Sequence, residues 1–207
     1  MINDLLLLKN LSASFETNHY SKDELKINDI GYNSYLNECN GGYYFDHSMV
    51  LYGLNTKEKF NNASVDSNLV KKYYNPILGQ DLFCFGADIF GNLFVFGESE
   101  KVLFFNIESG EIEQIANDFE DWLKVLFSDL NYFSGRELAM TLTENVREDL
   151  SKGFRLCPKI PFITGGAYDL SNLYLKFYDI NIKYNASIAS QVINLEDGQA
   201  VKIKLIQ

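Results

Sequence analysis

Apolar residues recur at helical spacing near the N-terminus and at strand spacing through the centre and again at the C-terminal end. Leu5, Leu8, Leu11 and Phe15 share one face of an N-terminal helix, with Asp4 in the first turn, where the helix dipole favours negative charge. Tyr32, Tyr35, Leu36 and Cys39 follow the i, i+3, i+4, i+7 pattern and predict a second short helix over about 29–39. Asn40-Gly41-Gly42 ends it, because glycine reaches the left-handed conformation a helix terminus needs. Residues 43–54, rich in Tyr, Phe, Met, Val and Leu, read as a strand or strand pair. Residues 55–80 are polar and Asn-rich, with a loop and one short helix around Ser67–Tyr74.

The strongest pattern covers 82–116. Leu82 to Phe90 is an apolar, aromatic run followed by the two-residue turn Gly91-Asn92. Leu93–Gly97, Val102–Ile107 and Ile112–Ala116 continue as strands, separated by turns at Glu98–Lys101 and Ser109-Gly110. This predicts an antiparallel meander. A helix over about 118–133 follows, capped by Asn117 or Asp118, with Phe119, Trp122, Leu123, Leu126, Leu130 and Phe133 as its buried stripe. Ser134 and Glu137 have capping-box spacing for a further helix running to about Ser151. Beyond Gly153, the segment 157–162 is held extended by its prolines and Gly165-Gly166 is a turn. Leu173–Tyr178 is a strand, 185–194 a short helix, and Val201, Ile203 and Leu205 a final alternating strand. The domain reading is one α+β unit over 1–153 with a C-terminal extension, 154–207, packed on it.

Composition narrows the class. With 207 residues, 46% of them hydrophobic and 14% aromatic, the chain has ample material for a core. The formal charge of -10 disfavours direct contact with phosphate backbones, and no basic stripe offsets it. The acidity serves either solubility alone or attraction of a basic partner. Cys39, Cys84 and Cys157 are widely spaced among apolar neighbours, as free core thiols in a reducing compartment are, which points to the cytoplasm. No run approaches the ~20 apolar residues of a membrane span.

Candidate chemistry is sparse. His19 and His47 belong to no metal-ligand spacing. Gly86 to Gly91 has the glycine spacing of a phosphate loop, but Asn92 and Leu93 stand where Lys and Ser/Thr are required. Carboxylates gather at Asp118, Glu120 and Asp121, and at Glu98, Glu100, Glu108, Glu111 and Glu113, in positions that suit a solvated face. Asp88 is distinctive because it interrupts an aromatic run. Buried there, its carboxylate must be hydrogen-bonded, either to organise the turn or to bind something. No residue is assigned to catalysis, a cofactor or a metal. A metal ion or a substrate-sized cavity ringed by Asp88 and its neighbours would overturn that assignment.

Three ordered segments together resemble the SUKH superfamily. They are Leu36-Asn37-Glu38-Cys39-Asn40-Gly41-Gly42; Phe83 through Asp88 to Gly91-Asn92, continuing to Phe119 and Trp122; and Pro161 to Tyr168, including Gly165-Gly166, with Asn172-Leu173-Tyr174 and the 189–198 stretch. The N-terminal Trp of many members is absent, and 55–80 matches nothing recognisable.

The resemblance implies an α+β fold, a mixed, largely antiparallel sheet with helices packed against it. It implies binding rather than catalysis: an immunity protein that neutralises a cognate toxin, often a nuclease, encoded beside it. The alternative is an intracellular regulatory module like the fungal Smi/Knr relatives, and a third reading is an enzyme with a deep pocket and a perturbed carboxylate. For toxin binding, the candidate contacts are Asp46, Glu98, Glu100, Glu108 and Glu111, with exposed Tyr43 or Tyr44, on a monomer or weak homodimer that binds neither nucleic acid nor membrane.

Overall fold

In the computed structural model, which describes residues 8, 15, 27–78, 82–196, 198–199 and 202–204, the central meander sets the architecture. Its strands are β1 (Gly42–Tyr44), β2 (Met49–Leu51), β3 (Phe83–Ala87), β4 (Leu93–Phe96), β5 (Val102–Phe105) and β6 (Ile112–Ala116). They pair in sequence order, each antiparallel to the next. The parallel contact is a single bridge, Gly53 to Asn62. Two further strands, β7 (Phe154–Pro158) and β8 (Leu173–Phe177), form an antiparallel ribbon. The fold is α+β.

Seven α-helices occur among the described residues: α1 (Ile30–Glu38), α2 (Ala63–Leu78), α3 (Phe119–Ser128), α4 (Leu130–Ser134), α5 (Arg136–Thr141), α6 (Glu144–Leu150) and α7 (Tyr178–Val192). They cover both faces of the sheet, because successive strand residues point to opposite sides. Phe104 packs on Phe94 and Phe133, whereas its neighbour Phe105 meets Tyr74 of α2 edge-on at 4.8 Å. On the first face Trp122 sits against Phe85, Phe94 and Phe119, with ring centroids 5.0–5.1 Å apart. Tyr32 of α1 adds to that cluster. On the second face α7 packs over α2. Cys39, Cys84 and Cys157 are all buried, and none of the three is in a disulfide.

Several boundaries differ from the sequence expectation, each for a local polar reason. β3 stops at Ala87, not Phe90, because the Asp88 carboxylate takes the backbone N–H groups of Phe90 and Asn92. The turn is therefore longer than Gly91-Asn92, and Asp88 N–H donates to the Asn92 carbonyl across it. The helix expected over 118–133 breaks at Asp129, whose carboxylate caps a new turn by accepting from Tyr132 N–H. The Ser134–Glu137 capping box does not form. Ser134 Oγ donates to the Leu130 carbonyl, and Asn131 Oδ1 takes the Glu137 N–H instead. The helix that box was to start is split into α5 and α6 by extended Leu142 and Thr143.

α2 runs far beyond Ser67–Tyr74 and carries Pro76 inside it. α7 begins directly after β8, seven residues before the expected 185. Its Asn181 and Asn185 are buried and bonded to each other, which hides the helix from an apolar pattern. Most of the N-terminal helix expectation, and Val201 and Leu205 of the final strand, lie outside the described residues. Residues 202–204 are not in a strand.

Asp29 binds two helices together. It is buried, and one carboxylate oxygen accepts from Tyr32 N–H at 2.8 Å while the other accepts from Phe119 N–H at 2.9 Å. Asp29→Ala leaves both helix starts short of an acceptor. We expect it to cost about 2–4 kcal/mol in urea unfolding, with Asp29→Asn, which keeps one acceptor, losing about half as much.

Candidate binding groove

Antiparallel order places the turns after β1, β3 and β5 at one end of the sheet and those after β2 and β4 at the other. At the first end the β3–β4 turn is built around Asp88. Three donors converge on its buried carboxylate: Phe90 N–H (2.9 Å), Asn92 N–H (2.8 Å) and the Asn92 side-chain amide (2.8 Å). Asn92 Oδ1 in turn accepts from Ile107 N–H at 3.2 Å, tying this turn to the next. Gly91 has φ +90°, and a Cβ there would lie 2.7 Å from the Asn181 side-chain nitrogen, so glycine is required. The Asn181 amide reaches the Phe90 carbonyl at 2.8 Å, and Leu156 N–H of β7 reaches the Ile89 carbonyl at 2.9 Å.

The β5–β6 turn is organised by Asn106, whose Oδ1 accepts from Glu108 and Ser109 N–H. Glu108 is 7% exposed and points away from solvent; its Oε1 accepts from Ile163 N–H at 2.7 Å. That bond fastens the loop between β7 and β8 over this end of the sheet. Within the loop Phe162 and Tyr168 stack at 3.8 Å and 4°, and both rings meet Phe90 edge-on.

These turns, the loop and the α4–α5 corner enclose a two-part groove. The narrower part, about 250 Å³, lies between Glu108, Glu111, Phe162, Ile163 and Tyr168. The wider part, about 540 Å³, lies between Asp88, Phe104, Asn131, Tyr132, Glu137 and Tyr168. Phe90, Asn92, Asn106 and Tyr168 border both. Gly135 makes the corner possible: it has φ +70°, and a Cβ there would come within 2.5 Å of Ile89.

Electrostatically the groove is one-signed. Asp88, Glu108, Glu111 and Glu137 line it, and no Lys or Arg does so among the described residues. Burial pushes the Asp88 carboxyl up to about 6, against the hydrogen bonds from Asn92 and Phe90 that hold it down. Burial likewise raises Glu108, opposed by the N–H groups of Ile163 and Phe162.

The candidate contacts are thus dispersed. Asp46, Glu108 and Glu111 belong to the groove end of the sheet, Asp46 paired with Arg136 at 3.7 Å. Glu98 and Glu100 lie at the opposite end, Glu100 accepting from Asn28 N–H at 2.6 Å. Tyr44 is not an exposed contact: it is buried, its hydroxyl sharing a hydrogen bond with Tyr35. Tyr43 is half-buried and donates to Asn61 Oδ1. Glu108 is a buried acceptor rather than a rim charge.

The glycine and amide motif residues have local duties. Asn40 pairs with both main-chain groups of Leu54, Gly41 is left-handed, and Gly42 opens β1. Gly165-Gly166 closes the loop turn through bonds to Phe162 and Pro161. Tyr132, Glu137 and Asn131 were not foreseen as site residues. The signal available for Tyr132 was an aromatic standing off the buried stripe of its helix.

An enzyme reading asks for a pocket of this size beside a perturbed carboxylate, and the groove supplies both. Asp88, however, has its oxygens engaged by three donors of its own turn. Among the described residues no three His, Cys, Asp or Glu side chains are grouped as a metal site would need. No helix of the described residues is long and apolar enough to cross a membrane.

An α+β scaffold with a meander sheet and an acidic, aromatic groove at one end defines the class of this protein. Residues 31–125, a little under half of the chain, match the model of the SMI1 / KNR4 family (SUKH-1), which supports the SUKH resemblance of the sequence motifs. The crystal structure of Atu4351 from Agrobacterium tumefaciens is similar, with a TM-score of 0.58 over 90% of this chain and 88% of that one, at 14% identity. That likeness is one of fold. No curated protein matches the chain in sequence.

Because the folded-state pKa of Asp88 is raised, its protonation favours the fold. That contribution is fully present below 3.8 and is lost as pH rises through about 6. Thermal melts of the wild type and Asp88→Asn across pH 4–7.5 should show the wild type losing stability relative to the variant as pH rises through about 6. A pH-independent difference would mean that the three donors, not burial, govern this carboxyl.

Proposed function

We propose that the protein is a non-catalytic immunity protein that binds a basic toxin in the cytoplasm and blocks it by direct contact. The observation that carries this reading is the groove: uncompensated carboxylates and exposed aromatic rings at one end of a rigid sheet. A surface of one sign speeds encounter with a partner of the other, while aromatic side chains supply the contact area. The match of residues 31–125 to the SMI1 / KNR4 family model supports a binding role. The engagement of Asp88 within its own turn favours recognition over bond-making. The extension, 154–207, we take to be part of the same unit, because it contributes one wall of the groove and β7 bonds to the β3–β4 turn.

The SMI1 / KNR4 description also fits a regulatory interaction module that meets no toxin. Co-expression with the product of an adjacent toxin gene separates the two: rescue of growth and a stable purified complex support immunity, and persistent toxicity overturns it. With the complex in hand, the double change Glu111→Lys and Glu137→Lys should slow association about tenfold or more. Raising salt from 50 to 500 mM should weaken the wild-type complex steeply. Stopped-flow association rates measure both effects, and salt-insensitive rates count against an electrostatic interface.

A further inference from the structure

We propose that the wider half of the groove is a pocket for an arginine side chain of the protein partner, an inference that rests on the binding role proposed above. The first observation is a half-covered ring. Phe162 lies flat against one face of Tyr168 at 3.8 Å, yet Tyr168 remains 70% exposed, so its other face is open. The second is the facing wall, where Tyr132 is 63% exposed and steadied by Phe133 edge-on at 4.9 Å and by Phe104 at 6.3 Å. Both tyrosines line the same cavity of about 540 Å³.

The third observation is charge without a counter-ion. Glu137 lines this cavity, and among the described residues its carboxylate has no ion pair. Its neighbour Arg136 is directed to Asp46 at 3.7 Å, and Lys159 donates to the Ser171 carbonyl at 2.6 Å. Among the described residues, therefore, no cation lines the cavity where its rings and carboxylate would hold one.

A guanidinium is the group that uses all of this. It is planar, weakly hydrated and permanently charged, so it can lie on an aromatic face while donating in-plane N–H groups to a carboxylate. Asn131, also lining the pocket, offers a side-chain carbonyl, but that oxygen already accepts from Glu137 N–H. Glu137 is thus the anionic partner for the ligand, and Tyr168 and Tyr132 are its walls. A lysine ammonium carries the same charge but is compact and strongly hydrated, and gains less from flat open rings.

The probe is N-acetyl-arginine amide, with N-acetyl-citrulline amide as its uncharged isostere, titrated into the full chain with tyrosine ring resonances read by NMR. The arginine derivative should move Tyr132 and Tyr168 saturably, and citrulline should bind at least about tenfold more weakly. Glu137→Gln should weaken arginine binding about five- to tenfold, and Tyr168→Leu, at an exposed position that leaves folding intact, should abolish it. No saturable shift, equal shifts from both compounds, or shifts confined to other tyrosines overturns the pocket. Arginine binding without rescue from the toxin overturns immunity and leaves the pocket standing. Rescue without arginine binding does the reverse.

Discussion

The groove exists because one buried carboxylate must be satisfied. Asp88 sits at 3% exposure at the end of an aromatic strand, where an unpartnered charge is untenable. The chain answers by bending its backbone round the carboxylate until Phe90 and Asn92 donate to it. That bend ends β3, turns Ile89 and Phe90 out of the sheet, and positions Asn92 to accept from Ile107. The positions of Phe90 and Asn92 at the border of the groove follow from this local accounting of donors and acceptors.

The same turn is where the two halves of the sequence are joined. Ile89 belongs to a second apolar cluster with Leu150, Leu156 and Leu173, separate from the main core. Its carbonyl pairs with β7, the Phe90 carbonyl pairs with Asn181 of α7, and Glu108 holds the loop before β8. Each contact replaces a solvated polar group by a buried, bonded one, so each is weak evidence for net stability but strong evidence for geometry. The loop with Phe162 and Tyr168 is therefore fastened to the sheet end by Glu108 and closed on itself by the Asn172 side chain. An aromatic platform on a fastened loop loses little conformational freedom when it meets a partner.

Sequence reading succeeded where side-chain periodicity and burial coincide. The meander, the α1 stripe and the Phe119–Leu126 face of α3 follow from apolar spacing alone. It failed where a polar side chain competed with the regular pattern. Asp129 restarts a helix that the stripe Leu130 and Phe133 seemed to continue, and Ser134 turns back onto Leu130 instead of capping. α7 was underestimated because Asn181 and Asn185 are polar yet buried. The role of Asp88 was legible as a need for partners, but which partners depended on the turn length. The groove itself was not legible. Tyr132, Glu137 and Tyr168 lie more than thirty positions apart at the extremes and meet only through the stacking of loop on sheet.

The acidic composition divides into two populations that a net charge of -10 does not distinguish. Asp29, Asp88 and Glu108 are buried and spend their oxygens on backbone N–H groups, so they are structural acceptors and project little field outward. Asp46 and Glu148 are exposed and Asp121 and Asp149 half-buried, and they are partnered by Lys124, Arg136 or Lys152, pairs that salt and water reduce to about 0–1 kcal/mol each. What remains at the groove is Glu137 and Glu111, with no Lys or Arg among the described residues lining the cavity beside them. Both are exposed, so the field they project is subject to screening by salt. If the proposed binding role holds, the charge that serves it is a local remainder, set by which carboxylates the fold leaves uncompensated and not by how many the chain contains.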